Sequence, residues 1–161
     1  RNIYATDVTY VKSPKNIKQN HVYLSAIICH KTKQIISWKI STKNNLNLVF
    51  NNIRDLYKIT KGEKFIIHSD HGFQYTSKVY IEKIQNNNGV VSLSRVGNCL
   101  DNREIEYWFS VFKTEFLKFK DPSKLTFKQF EKEVSKFVTW YNNGKIQKNL
   151  GWKKPQQVVA A

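Results

Sequence analysis

The sequence predicts a mixed α/β domain, a five-stranded sheet flanked by helices in the order β-β-β-α-β-α-β-α-α. Three observations carry this. Residues 3–40 hold three β-branched and aromatic runs with period-two character. From Asn44 the apolar residues switch to helical spacing. Beyond Gly62, two short apolar runs alternate with amphipathic stretches. With 161 residues, 40% hydrophobic and 14% aromatic, the chain can bury one core and reads as a single domain, 1–161.

The first strand is 3–11, I-Y-A-T-D-V-T-Y-V, which puts Ile3, Ala5, Asp7, Thr9 and Val11 on one face. Asp7 breaks an otherwise core-compatible face, a costly choice unless its carboxylate has a partner such as a metal. Strands over 21–29 and 34–40 follow, with His30-Lys31-Thr32-Lys33 as the turn of an antiparallel hairpin. Leu46, Val49, Phe50, Ile53, Leu56 and Tyr57 mark a helix that Thr42 or Asn44 would cap and Gly62 would end. Phe65-Ile66-Ile67 forms a buried strand delivering His68, Ser69 and Asp70 to its carboxyl end, where ligands of α/β sheets collect. A helix over 75–87, a strand over 90–93, a helix opening at Asp101 and a last helix over 126–142 complete the order.

Charge narrows the function. Against 12 acidic residues stand 27 basic ones, a net charge of +15 with a pI near 9.8, which points to a polyanionic partner. Only Arg1, Arg54, Arg95 and Arg103 are arginines, and a lysine-dominated surface suits phosphate contact better than base readout. No apolar run reaches membrane-spanning length and no charged-then-apolar leader opens the chain. Cys29 and Cys99 are far apart, which fits small packed residues in a reducing compartment; with His21 and His30 they are too scattered for a zinc site. Without methionine and starting directly in a strand, the sequence reads as part of a longer polypeptide.

Helical phase sorts the carboxylates after Gly97. At about 100° per residue, Ile105, Trp108, Phe109, Phe112 and Phe116 form one apolar stripe. Asn102, Glu106 and Lys113 share one flank of it, and Glu104 and Glu115 the other. Glu106 can therefore face a cleft, whereas Glu104 reads as a solvated charge. Asn98, Asp101 and Asn102 read as turn builders and helix caps. Asp7, Asp70 and Glu106, carboxylates from separate elements, suit Mg²⁺ or Mn²⁺, and a pair of such ions assists displacement at phosphorus. Asp70 before Gly72 also fits an ordinary turn aspartate, and surface glutamates on helices are common, so these residues alone leave both readings open.

Three blocks go further. A-T-D-V-T-Y (5–10), H-S-D-H-G-F-Q-Y-T-S (68–77) and G-N-C-L-D-N-R-E-I-E-Y-W-F-S-V-F-K-T-E (97–115) resemble the signatures of DDE-type insertion-sequence transposases, whose catalytic domain is similar to the retroviral integrase core. Between Asp70 and Glu106 lie 35 residues, the spacing of that D,D(35)E pattern. W-Y-N-N-G-K-I-Q-K-N-L-G-W-K-K-P (140–155) resembles the family's closing block, so the likeness covers nearly the whole chain. It implies an RNase H-like fold, Mg²⁺ dependence with Mn²⁺ as substitute, and cleavage and joining of transposon-end and target DNA by a homo-oligomer. Asp7, Asp70 and Glu106 carry over as catalytic metal ligands, and Lys113, in F-K-T-E, as a DNA contact. His68, Asn102 and Lys145 are further candidates on the DNA side. His71 replaces a glutamine and Lys145 an arginine of many relatives, and the helix-turn-helix region of the family does not precede these blocks. The resemblance also implies a cytoplasmic, nucleoid-associated bacterial protein. The alternatives are a metal-dependent RNase H-type nuclease of the same fold and an inactive DNA-binding remnant.

Overall fold

The three opening runs pair as an antiparallel meander in the computed structural model, which describes residues 2–94 and 102–159. Strand β1 (Asn2–Lys12) lies antiparallel to β2 (His21–Cys29), with Asp7 opposite Ala26, and β2 pairs antiparallel with β3 (Ile35–Ser41). The 30–33 turn ends on Lys33 at φ 59°, and the Thr32 hydroxyl accepts the Gln34 N–H at 3.3 Å. The period change then gives α1 (Leu46–Thr60). Its cap is Asn45, whose side chain accepts the Leu48 N–H at 3.2 Å, rather than Thr42 or Asn44. Asn44 is occupied otherwise, since its side-chain carbonyl accepts a hydrogen bond from the Gln74 amide. Lys61 at φ 50° and Gly62 at φ 83° stop the helix in the left-handed region.

The chain then crosses to run parallel to its start. β4 (Phe65–Ser69) pairs parallel with β1, and β5 (Gly89–Leu93) parallel with β4, giving the sheet order β3-β2-β1-β4-β5. A side chain at Gly89 would come within 2.5 Å of the Phe65 ring, so this strand pair requires a glycine there. The helix expected over 75–87 is two pieces, α2 (Phe73–Thr76) and α3 (Lys78–Gln85). Ser77 separates them because it turns extended and caps α3 by accepting the Tyr80 N–H at 3.2 Å.

Helix α4 (Arg103–Val111) widens into a π-helical turn over Phe112–Leu117, and α5 (Phe127–Asn143) starts with a capping box between Thr126 and Gln129. A short α6 (Pro155–Val159), absent from the expected order, follows. The sheet lies between two helical layers. On one face Ala5, Val11, Leu24, Ala26 and Ile28 meet the α4 stripe and α5; on the other Tyr4, Ile27 and Ile67 meet α1 and α3. Cys29 is a half-buried free thiol, and Cys99 lies outside the described residues. Among the described residues no helix is long and apolar enough to cross a membrane.

Candidate active site

Strand register builds the site. Ala5 on β1 lies beside His68 on the parallel β4, so two residues further along each chain Asp7 and Asp70 stand at the same level of the sheet. The half-buried Asp7 accepts the Val8 N–H at 2.8 Å. Burial pushes its carboxyl up to about 7; the Val8 bond opposes this, the charges of Asp70 and Glu106 add to it, and Lys113 again opposes it. The charges of Asp70, Glu106 and Lys113, from other segments of the chain, thus each reach Asp7.

Asp70 is exposed and closes its own turn, accepting the Gly72 N–H at 2.8 Å. A Cβ at residue 72 would stand 3.0 Å from the Asp70 carboxylate, so the turn needs a close backbone approach. A polar chain fixes this turn to the end of β5. His68 bonds Ser92 Oγ at 3.0 Å through Nδ1 and Ser94 Oγ at 3.1 Å through Nε2. Because the Ser94 hydroxyl donates to the Ser69 carbonyl at 3.2 Å, these bonds together require His68 to carry its proton on Nε2. The His71 Nε2 donates in turn to the Ser94 carbonyl. Beneath lies Tyr75, fully enclosed, its phenol driven well above the ordinary range by burial first and then by Asp7.

Ile105, Trp108, Phe109, Phe112 and Phe116 are all buried against the sheet, which leaves Glu106 and Lys113 exposed on the Asp7 side. Lys113 also sits 5.9 Å from the ring centre of the exposed Tyr10. Glu104 is not a solvated charge. It lies 2.8 Å from His30 Nδ1 and 3.2 Å from Lys33 Nζ, because the hairpin turn passes over the first turn of α4. On the same flank Glu115 holds Lys145 at 2.9 and 3.0 Å, and that ammonium stands 5.4 Å from the Trp140 ring centre. Asn102 occupies the α4 cap position without making a capping bond; it is buried, with its side-chain oxygen unpartnered among the described residues. Asn98 and Asp101 lie outside the described residues. Asn142 packs by clamping Ile35, accepting its N–H at 2.9 Å and donating to its carbonyl at 3.0 Å.

Among the described residues no three His, Cys, Asp or Glu side chains stand close enough together to hold a metal ion. The oxygen-only donor set around Asp7 nevertheless fits a hard divalent cation. A desolvated carboxylate facing two further carboxylates has only the exposed Lys113 ammonium to offset them, and a hard cation would supply the rest. Sequence reasoning missed Tyr75, Tyr10 and the two ion pairs of the other flank. The Glu104 pair was detectable only from the hairpin turn's position over α4, which no local pattern encodes.

The chain is similar to proteins of mobile elements. It is 31% identical to a transposase-like protein of Haemophilus influenzae over 147 residues, 91% of this chain and 65% of that protein. It is 28% identical to the transposase for insertion sequence element IS904 of Lactococcus lactis over 160 residues, 96% of this chain and 59% of the relative. Overall it spans between 29% and 65% of the length of such relatives. Its fold matches the integrase catalytic core domain of HTLV-2 solved with magnesium, at TM-score 0.68 and 15% identity, covering 98% of this chain and 94% of that one. It also matches a chain of a simian T-cell lymphotropic virus intasome, at TM-score 0.79 and 14% identity, over 99% of this chain and 54% of that one. The five-stranded mixed sheet is therefore the RNase H-like arrangement expected. Residues 2–99 match the family model described as the integrase core domain, and the chain belongs to that family.

Proposed function

We propose that the chain is the catalytic core of a transposase that cuts DNA at the ends of a mobile element and joins the 3′ ends to target DNA. One observation carries the reading: Asp70 and Glu106, brought from separate elements, both act by their charge on the half-buried Asp7 within a domain of net charge +15. An acidic island repels a phosphodiester unless a cation intervenes, so a strongly basic surface around it fits metal-dependent DNA chemistry.

Asp7, Asp70 and Glu106 would hold Mg²⁺, with Mn²⁺ accepted in its place. Such ions neutralise phosphoryl oxygens and lower the pKa of an attacking water or 3′-hydroxyl. The residues themselves do the rest. Asp7, its carboxyl raised by burial, would have to be ionised to serve as a ligand. The Ser92–His68–Ser94–Ser69 chain keeps the Asp70 turn at the strand end. Lys113 presents an exposed ammonium whose charge reaches Asp7, which supports a role in pairing a DNA phosphate. Lys145, the other expected DNA contact, is bound to Glu115 on the opposite flank of α4, and Asn102 is buried, so Lys113 is the DNA contact proposed beside the carboxylates. Two ends must be brought together, so the active form is a homo-oligomer, working on the bacterial nucleoid.

The test is strand joining by oligonucleotides carrying an element end, with Mg²⁺. Joined product is expected from the wild type, and none from Asp7→Asn, Asp70→Asn or Glu106→Gln while DNA binding persists. Joining retained by any variant removes that residue from the ligand set; cleavage without joining identifies a nuclease.

A further inference from the structure

On the flank of α4 turned away from Asp7, Asp70 and Glu106 lies an open cleft of about 740 Å³, bounded by the first turn of α4 and by the closing block 140–155; Glu104 lines it too, its charge offset by Lys33. Its size is that of a site for a small molecule or one or two nucleotides. Arg103 and Lys148 line it, and neither is held in an ion pair among the described residues. Tyr107, 48% exposed, offers its ring on the same wall. At the back sit Tyr141 and Gln147, both at least nine-tenths buried; the Gln147 amide lies beside the phenol oxygen without making a well-formed hydrogen bond to it. The amide is close enough to offset in part the rise of the Tyr141 phenol to about 12 that burial causes. A buried amide and phenol that bond each other this poorly keep donor and acceptor capacity for a ligand entering the cleft.

The closing loop is built to present these groups. Gln147 anchors it through its backbone, donating to the Lys153 carbonyl at 3.0 Å and accepting the Trp152 N–H at 3.1 Å. Trp152 is held at φ 62° and 70% exposed, a backbone state that a bulky residue adopts only under constraint.

We propose that this cleft is a second nucleic-acid site, which takes a nucleotide of single-stranded DNA, the base stacked on Tyr107 and bonded to Gln147 and Tyr141, the phosphates on Arg103 and Lys148. A duplex keeps its bases stacked within the helix and offers only their edges, whereas a single strand can splay a base into a cleft between an aromatic ring and cations. The site deepens the transposase reading, since end cutting exposes single-stranded DNA next to the reacting strand. Its binding chemistry is nonetheless independent of catalysis.

The experiment is binding of fluorescein-labelled oligothymidylate and of a duplex of equal length in EDTA, which removes metal chemistry from the readout. A tenfold or greater loss of single-strand affinity is expected in Tyr107→Ala and Arg103→Ala, with duplex affinity within twofold of wild type. Oligothymidylate carrying 5-iodouracil is expected to crosslink to Tyr107 on irradiation, as mapped by mass spectrometry. Unchanged single-strand affinity, equal loss for both DNAs, or crosslinks confined to the Lys113 side each overturn the proposal. Tyr107 and Arg103 are exposed, so these variants fold. Asp70→Asn separates the two hypotheses: it is expected to lose joining and keep single-strand binding.

Discussion

Lys33 and Glu104 meet at 3.2 Å and fasten the hairpin turn between β2 and β3 to the first turn of α4, two residues from Glu106. Both side chains are mostly shielded from water. Burial alone would push the Glu104 carboxyl up, but its own backbone N–H, Lys33 and His30 outweigh that and hold it below the ordinary value. A lowered folded pKa contributes stability above the unfolded value that is lost as pH falls through the folded one. Lys33→Ala is therefore expected to cost about 1 kcal/mol in urea unfolding at pH 7, and much less in strong acid. An equal cost at both pH values would contradict the pairing.

Asp7 gives the opposite sign. Its carboxyl is raised from 3.8 to about 7, so the metal-free folded state binds the proton more tightly than the unfolded chain does. Stability falls as pH rises between those values, and the penalty is complete above pH 7. Asp7→Asn in EDTA is expected to raise stability at pH 8 by about 1–3 kcal/mol and to change little near pH 4. Thermal melts across that range read the difference, and destabilisation at pH 8 would refute it.

Gly72 is a test of close approach. Alanine there would put its Cβ 3.0 Å from the Asp70 carboxylate and shift it. Gly72→Ala is expected to lower Mg²⁺-dependent joining about tenfold while the melting temperature stays within a few degrees. Full activity would show that the turn gives way without moving the carboxylate.

Trp108 is fully buried and packs against Phe109, Phe112, Phe137 and Tyr141. Trp108→Ala is expected to cost about 3–5 kcal/mol in denaturant unfolding. A loss under 1 kcal/mol would mean that α4 is not held by this stripe.

The sheet was legible in the chain because β-branched runs and period two are local properties, and so was the α4 stripe, whose phase separated Glu106 from Glu104. What escaped notice depends on residues distant in sequence. Asn44 lost the cap of α1 to Asn45 because Gln74, 30 residues on, takes its side chain. Ser77 split a helix whose apolar periodicity runs through the break, since a cap hydrogen bond leaves no trace in hydrophobic spacing. Glu104 looked solvated because its partners lie on a hairpin 71 residues earlier. Lys145 is neutralised by Glu115 for the same reason, since only tertiary packing brings the two together.

The site's three carboxylates are mounted unequally. Asp7 lies within the hydrogen-bonded sheet and Asp70 just past the end of the interior strand β4, whereas Glu106 rides on a helix joined to that sheet through side chains, the aromatic stripe and the Glu104 pair. Backbone ladders and side-chain packing do not loosen together on heating. Joining activity should consequently fade several degrees below the temperature at which strand circular dichroism is lost, with α4 the first part of the active site to go.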